Sequence, residues 1–392
     1  MSKMNDRRPV RWQIRVLAVV VVVALPLAVD WIAGFLTYHL GDYRDTNQGV
    51  FRINADSTGF RQPHRDYHHG LAPKRVTTDT WAHQSYPVVT NSLGFKDQTA
   101  RDVPLESSEP RLMFIGDSFT EGIAVPYAQT WVGIVDHALS GQGIEVLNAG
   151  VASYCPKTVY YKTKALLESG LRVSHIVFFI DVSDMADEVI FNDFVPANID
   201  DDDVWTGRYV KTPHIPALTE YSLIHRTLLK QQGRDPWKKT TLTDPRTGES
   251  FVFDNNERER WTRGPKPDWL DAGEASAKYY VTKLAALCAS HDITFEIAIY
   301  PWPGEIAAND AHSRYRKLWL TFCAEQHFAC YDLHDIFFPA DPAAREQMLA
   351  QDFIPNDVHW NAAGHQLVAR EWLRQYGERY SKPPSATPAS EP

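Results

Sequence analysis

Cysteine is scarce in this chain. Four in 392 residues, Cys155, Cys288, Cys323 and Cys330, are too few for a disulfide framework and lack the paired spacing of a metal site. A small stapled scaffold is thereby excluded, and catalysis by cysteine is disfavoured. Cys323 and Cys330 leave two readings open: a bridge from a helix end to the next strand in an oxidising compartment, or two buried free thiols. Positive charge is short as well. With 40 Lys and Arg against 49 Asp and Glu, the net charge of -9 gives no electrostatic reason to expect a nucleic-acid partner. What remains, 44% hydrophobic and 23% charged residues, is the composition of a globular protein, and one α/β domain with insertions can absorb the length. Twelve Trp and seventeen Tyr exceed what a core requires. Flat rings stack well on sugars, but they also simply pack.

One long apolar run is present. Lys3, Arg7, Arg8, Arg11 and Arg15 precede unbroken apolar residues from 16 to 29, and the run continues past Asp30 to Trp31, Phe35 and Tyr38. Residues 16–38 make about 23 positions, roughly 35 Å of helix, enough to cross a bilayer with some tilt and to leave Asp30 near the far interface. A cleaved signal peptide is the competing reading, yet no clear small-x-small site follows the run, so an uncleaved anchor is preferred. The charge asymmetry places residues 1–15 in the cytoplasm and everything after 38 outside. The expectation is a single-pass protein of the cytoplasmic (inner) membrane with a periplasmic or extracellular domain.

Residues 39–110 form a polar, turn-rich lead-in containing His64, His68 and His69 and the run Asn91-Ser92-Leu93-Gly94-Phe95. The histidines lack helical register and carboxylate partners, so they read as a solvated loop and no metal is assigned. From 111 to 380, short apolar runs at 112–115, 145–148, 175–180, 295–300 and 329–333 alternate with helical spacings at 131–139, 159–168, 275–291 and 311–326. That alternation predicts a parallel sheet covered by helices on both faces. One insertion, about 185–274, interrupts the rhythm and reads as a small helical lid or a partly disordered stretch. Its run Asp200-Asp201-Asp202-Asp203 lacks alternating ligands and reads as a solvated turn rather than a calcium loop. The tail 381–392 reads as disordered.

The chemistry is signalled at two places. Leu112-Met113-Phe114-Ile115-Gly116-Asp117-Ser118 is a buried strand running into a turn, which exposes the Ser118 hydroxyl at a strand's carboxyl end and near a helix N-terminus. Far downstream, Asn356-Asp357-Val358-His359 supplies a carboxylate and an imidazole just before a helical run. A serine hydroxyl is a poor nucleophile until a base takes its proton, and a carboxylate behind the base holds its tautomer. Ser118, His359 and Asp357 are those parts. Taken singly, the first block is an N-capped turn and the second a surface turn; their joint presence makes a catalytic reading the better one.

Over about 111–376 the sequence resembles the SGNH (GDSL-type) hydrolase superfamily. Gly116-Asp117-Ser118 matches its first block and Asn148-Ala149-Gly150 its second; the last block departs, since many members place the aspartate three residues before the histidine, whereas Asp357 is two before His359 and Asn356 occupies the third place. The resemblance implies a flavodoxin-like three-layer α/β/α fold and an oxyanion hole in which Ser118 and Gly150 give backbone NH groups. Ser183 stands where the family carries an oxyanion-hole asparagine. The Asp-x-His spacing, the anchor and the lead-in also resemble membrane-anchored exopolysaccharide O-acetyltransferases. Together these imply, without a cofactor, hydrolysis of an ester or O-acyl transfer, acetyl above all, on an extracytoplasmic glycan. The alternatives are a non-catalytic glycan-binding or assembly protein of the same fold, and a lysophospholipase.

Overall fold

The computed structural model describes residues 8–40, 59–81, 84–191, 194, 196, 204, 210–212, 221–231, 239–243, 250–254, 258–267, 269–355 and 357–380. Helix α1 (Arg8–Val19) passes through a π-helical turn (Val20–Ala24) into α2 (Leu25–Leu40). Within them Trp12–Thr37, 26 residues at a mean hydropathy of 2.6, is long and apolar enough to cross a membrane. Its most apolar stretch is unburied, as lipid-facing positions would be.

The lead-in is not the structureless loop its composition suggests. It holds two antiparallel hairpins, β1 (Arg61–His64) with β2 (His68–Leu71) and β3 (Val76–Trp81) with β4 (Gln84–Val89). Their period was hidden by Pro63, Pro87 and the histidines, and they are held by burial of Phe60, Leu71, Tyr86 and Val88 in the main core. In the run 91–95 the Asn91 side chain accepts from the NH groups of Leu93 and Phe95. Gly94 takes a φ of 69°, and a Cβ there would lie 2.2 Å from the Leu71 carbonyl oxygen, so only glycine fits.

The main domain follows as β5 (Arg111–Gly116), α3 (Ser118–Glu121), α4 (Trp131–Leu139), β6 (Glu145–Asn148), α5 (Pro156–Glu168), β7 (His175–Ile180) and α6 (Asp184–Ile190). Next come β8 (Val210–Thr212), α7 (Leu223–Gln231), β9 (Lys239–Thr243) and β10 (Ser250–Asp254), then α8 (Leu270–Ser290), β11 (Thr294–Ile299), α9 (Pro303–Ala307) and α10 (Arg314–Gln326). β12 (Ala329–Asp332), α11 (Pro342–Asp352) and α12 (Ala362–Tyr380) complete it. All five expected strands form one parallel sheet in the order β6-β5-β7-β11-β12. Numbered within the sheet this is 2-1-3-4-5, the flavodoxin-like order. Because the chain leaves β5 toward one edge and then crosses back to β7, right-handed crossovers put α4 on one face and α5 and α8 on the other. α12 returns to pack on α4, which completes an α/β/α sandwich. The order reverses between β5 and β7, so the crevice for a ligand opens at their carboxyl ends, where Ser118 and residues 181–184 lie.

The insertion is narrower than 185–274, because α6 packs on α8 as part of the domain. What lies between them includes the antiparallel sheet β10-β9-β8 as well as a helix, where a helical lid or a partly disordered stretch was expected. The aspartates 200–203 and the tail 381–392 lie outside the described residues. The aromatic excess goes into the core: Trp131 stacks on Phe179 at 4.0 Å, and Trp261, Trp269, Trp319, Trp360 and Trp372 are all fully buried. Each such side chain contributes about 1.5–3 kcal/mol by burial or more. The four cysteines are unbridged, Cys155, Cys288 and Cys323 buried and Cys330 half-buried.

Candidate active site

Burial of all six β5 residues anchors the strand that delivers the turn. Asp117 caps α3 by accepting from the Phe119 NH at 2.9 Å, which makes Ser118 the first residue of that helix. On the far side of the chain, 241 residues away, the turn before α12 brings His359 Nε2 to 2.7 Å from Ser118 Oγ. His359 Nδ1 donates to Asp357 Oδ1 at 2.5 Å, so Nε2 is the unprotonated acceptor for the serine hydroxyl. The His359 backbone NH donates to the same Asp357 oxygen at 2.9 Å. Burial raises the Asp357 pKa, but the hydrogen bonds from His359 outweigh it and hold the carboxyl below its ordinary range. A base oriented by an ionised carboxylate can take the serine's proton and later return it. Ser118 Oγ is also 3.2 Å from Asp117 Oδ2. Burial, and then the charge of Asp181, push Asp117 well above the ordinary carboxylate range.

Two of the expected oxyanion groups are engaged elsewhere. The Gly150 NH donates to the Asn148 side chain at 3.1 Å, closing a turn within its own loop. Glycine is nevertheless required there, since a Cβ would stand 2.5 Å from the Glu121 nitrogen. Ser183 Oγ donates to Asp187 Oδ2 at 3.3 Å. Its surroundings are acidic: Asp187 pairs with Arg258, and Asp181 accepts from Trp302 Nε1 at 2.7 Å. Burial first, then Asp181, push Asp184 well above its ordinary range; burial against the opposing Arg258 brings Asp187 to about 6. The one hydrogen of the Ser183 hydroxyl is thus directed to a carboxylate in this arrangement.

Three contributors lay outside the sequence reading. Trp81, at the end of β3, donates its indole NH to Asp357 Oδ2 at 2.9 Å and stands edge-on to the His359 ring. Arg61 of β1 makes a two-pronged bond to Glu121 on α3 at 2.5 and 2.8 Å, and Glu121 also accepts from the Ala152 NH at 2.8 Å. Ser153 follows, buried and at a φ of 62°, a left-handed conformation that costs a non-glycine residue about 1 kcal/mol or more. Among the described hydrogen bonds none uses the Ser153 NH or the Ser118 NH. No local pattern marks these positions: Trp81 and Asp357 are 276 residues apart. His69, expected in a solvated loop, is instead buried and donates Nε2–H to the Ala152 carbonyl at 2.8 Å.

No known family profile and no curated protein matches the chain. Solved structures similar to it in fold include a member of the lipolytic G-D-S-L family from Veillonella parvula, at 14% identity and TM-score 0.36, covering 70% of this chain and 99% of that one. A psychrotrophic esterase from a Pseudoalteromonas species is 11% identical at TM-score 0.38, covering 70% and 100%. A catalytic mutant of an acetylxylan esterase from Geobacillus stearothermophilus is 15% identical at TM-score 0.37, covering 69% and 95%. The likeness is one of partial chain trace.

Proposed function

We propose that the chain is a membrane-anchored SGNH-type serine enzyme that cleaves an ester by acyl-enzyme chemistry and passes the acyl group to water or to a glycan hydroxyl outside the cytoplasm. The single observation that carries this reading is the relay Ser118–His359–Asp357, with contacts of 2.7 and 2.5 Å, at the switch point of the sheet. In the reaction Ser118 Oγ bonds to the ester carbonyl carbon while its proton passes to His359 Nε2. The carbonyl electrons collect on the oxygen and return as the alcohol leaves with the His359 proton; an incoming hydroxyl then reverses the sequence. For the oxyanion, the unpartnered NH groups of Ser118 and Ser153 are the best donors, since the loop carrying Ser153 lies against the nucleophile turn through Gly150 and Ala152. The apolar helix with its basic N-terminal flank supports an anchored, outward-facing domain.

Reaction with a fluorophosphonate probe tests the chemistry. The wild-type protein is expected to label, and Ser118→Ala to lose both label and acetyl-ester turnover by at least about 10³. Equal labelling of the two removes Ser118 as nucleophile, and a folded wild type that neither labels nor turns over leaves a non-catalytic binding protein. Adding oligosaccharide acceptors to the ester assay distinguishes transfer from hydrolysis.

A further inference from the structure

We propose that helix α7 of the insertion is a membrane-surface element, clamped to the outer end of the anchor by Asp30 and seating Ile224 and Leu228 in the bilayer at the boundary of headgroups and acyl chains. This rests on the reading of α1 and α2 as an anchor. An aspartate in an apolar span is costly, about 2.5–3.5 kcal/mol at a helix centre, and is kept only where partners compensate it. Asp30 has such partners. Its Oδ2 accepts from Ser222 Oγ at 2.6 Å and its Oδ1 from the Ile224 NH at 3.1 Å. The carboxylate therefore caps the N-terminus of α7, where unpaired amides and the helix dipole favour an anion.

Three further contacts join the anchor to Tyr221, just ahead of α7. A Cβ on Gly34 would fall 1.5 Å from the Tyr221 carbonyl oxygen, so backbone meets backbone and any side chain would force them apart. Tyr221 packs against Trp31 and Phe35 with ring centroids 5.3 Å from each, and Trp31 stacks on Phe35 at 5.5 Å. Amphipathic aromatics gather at this level of a membrane. Finally, Ile224 and Leu228, four residues apart and so on one helix face, are 61% and 53% exposed, whereas Arg226 on the opposite face is buried.

Lipid is the occupant these observations favour, because α7 is fastened to a helix whose own surroundings would be lipid. Depth agrees with this. Asp30 lies about 21 Å along the helix from Val16, hence within about 9 Å of the far edge of a hydrocarbon core about 30 Å thick. Interfacial helices bury their apolar face about 5–10 Å into that boundary. A second attachment of this kind would remove the swivel of a single-helix tether and hold the catalytic crevice at a set height above the bilayer.

The test is nitroxide accessibility on the full chain in phosphatidylcholine vesicles, with single labels at Ile224→Cys and Leu228→Cys. Val22→Cys serves as the anchor reference and Glu378→Cys, at an exposed position of α12, as the aqueous one; unsubstituted protein corrects for native thiols. Positions 224 and 228 are expected to collide at least about threefold more with oxygen than with a water-soluble nickel chelate, relative to position 378. Adding Asp30→Ala should return both to the aqueous ratio while position 22 stays unchanged. Aqueous ratios at 224 and 228 with a lipid ratio at 22 overturn the proposal and leave the anchor intact. An aqueous ratio at 22 overturns the anchor reading itself, and no response to Asp30→Ala overturns the clamp.

Discussion

At the scale of single residues, the two oxygens of Asp357 do different work. Oδ1 takes both hydrogen bonds from His359, and Oδ2 has the Trp81 indole, so removing that indole leaves half of a partly buried carboxylate unpaired. In the proposed reaction Trp81 would be a positioning residue, since its contacts are with Asp357 and the edge of the His359 ring. Trp81→Phe keeps an aromatic ring and removes the donor. A hydrogen bond to a charged group is worth about 1.5–3 kcal/mol, so kcat is expected to fall about tenfold or more with KM little changed. Without the donor Asp357 holds its proton more readily, and the acid limb of the kcat/KM profile should move to higher pH. A rise in KM alone, with an unshifted profile, would assign Trp81 to substrate contact instead.

Among elements, the lead-in ahead of the sheet is fastened to the loops around Ser118 at several points. β1 reaches α3 through Arg61 and Glu121, His69 of β2 holds the Ala152 carbonyl, and Lys96 donates to the Gly122 and Val125 carbonyls at 2.5 and 2.7 Å. Arg61 and Glu121 are both buried; burial opposes the ionised form of Glu121, but Arg61 overrides it and keeps the carboxyl below its ordinary range. Breaking such a pair from one side leaves an uncompensated buried charge, at a cost of about 3–5 kcal/mol. Arg61→Met is expected to lower unfolding stability in urea by that amount, and adding Glu121→Gln to recover a large part of it. If Arg61→Met is neutral, the lead-in is not coupled to the domain's stability.

For the whole molecule, pH acts through imidazoles buried as neutral groups. Burial, and then the neighbouring His68, lower His69 to about 3, and burial, then Lys96, lower His365 to about 3. In the unfolded chain both take a proton below about 6.5. Between that pH and about 3 the unfolded state binds more protons, so stability present at neutral pH is lost as the pH falls through this window. Asp187, raised to about 6, and Glu305, raised to about 7 mainly by burial, act in the opposite sense on acidification. Comparing variants separates the two. His365→Asn is expected to flatten the drop in unfolding free energy between pH 7 and pH 5 by up to about 1.4 kcal/mol per pH unit relative to wild type. An identical slope in both proteins would mean that His365 is protonated in the folded state.

What the sequence by itself determined is whatever short-range pattern controls. The apolar runs and helical spacings placed β5, β6, β7, β11 and β12 and the helices between them, because buried parallel strands and long amphipathic helices write their period into neighbouring residues. The strand-turn-serine and the Asp-x-His turn were legible for the same reason, as each is a local conformation with its own residues. The two hairpins of the lead-in were not, since proline and histidine blur their alternation and their stability comes from a core built elsewhere in the chain. Only the tertiary structure decided which donors surround the serine. It turned the Ser183 hydroxyl toward Asp187, closed the Gly150 NH on Asn148, and brought Trp81 to Asp357 across 276 residues. Hydrogen-bond partners are chosen by three-dimensional proximity of a few tenths of an ångström, and no spacing along the chain encodes that.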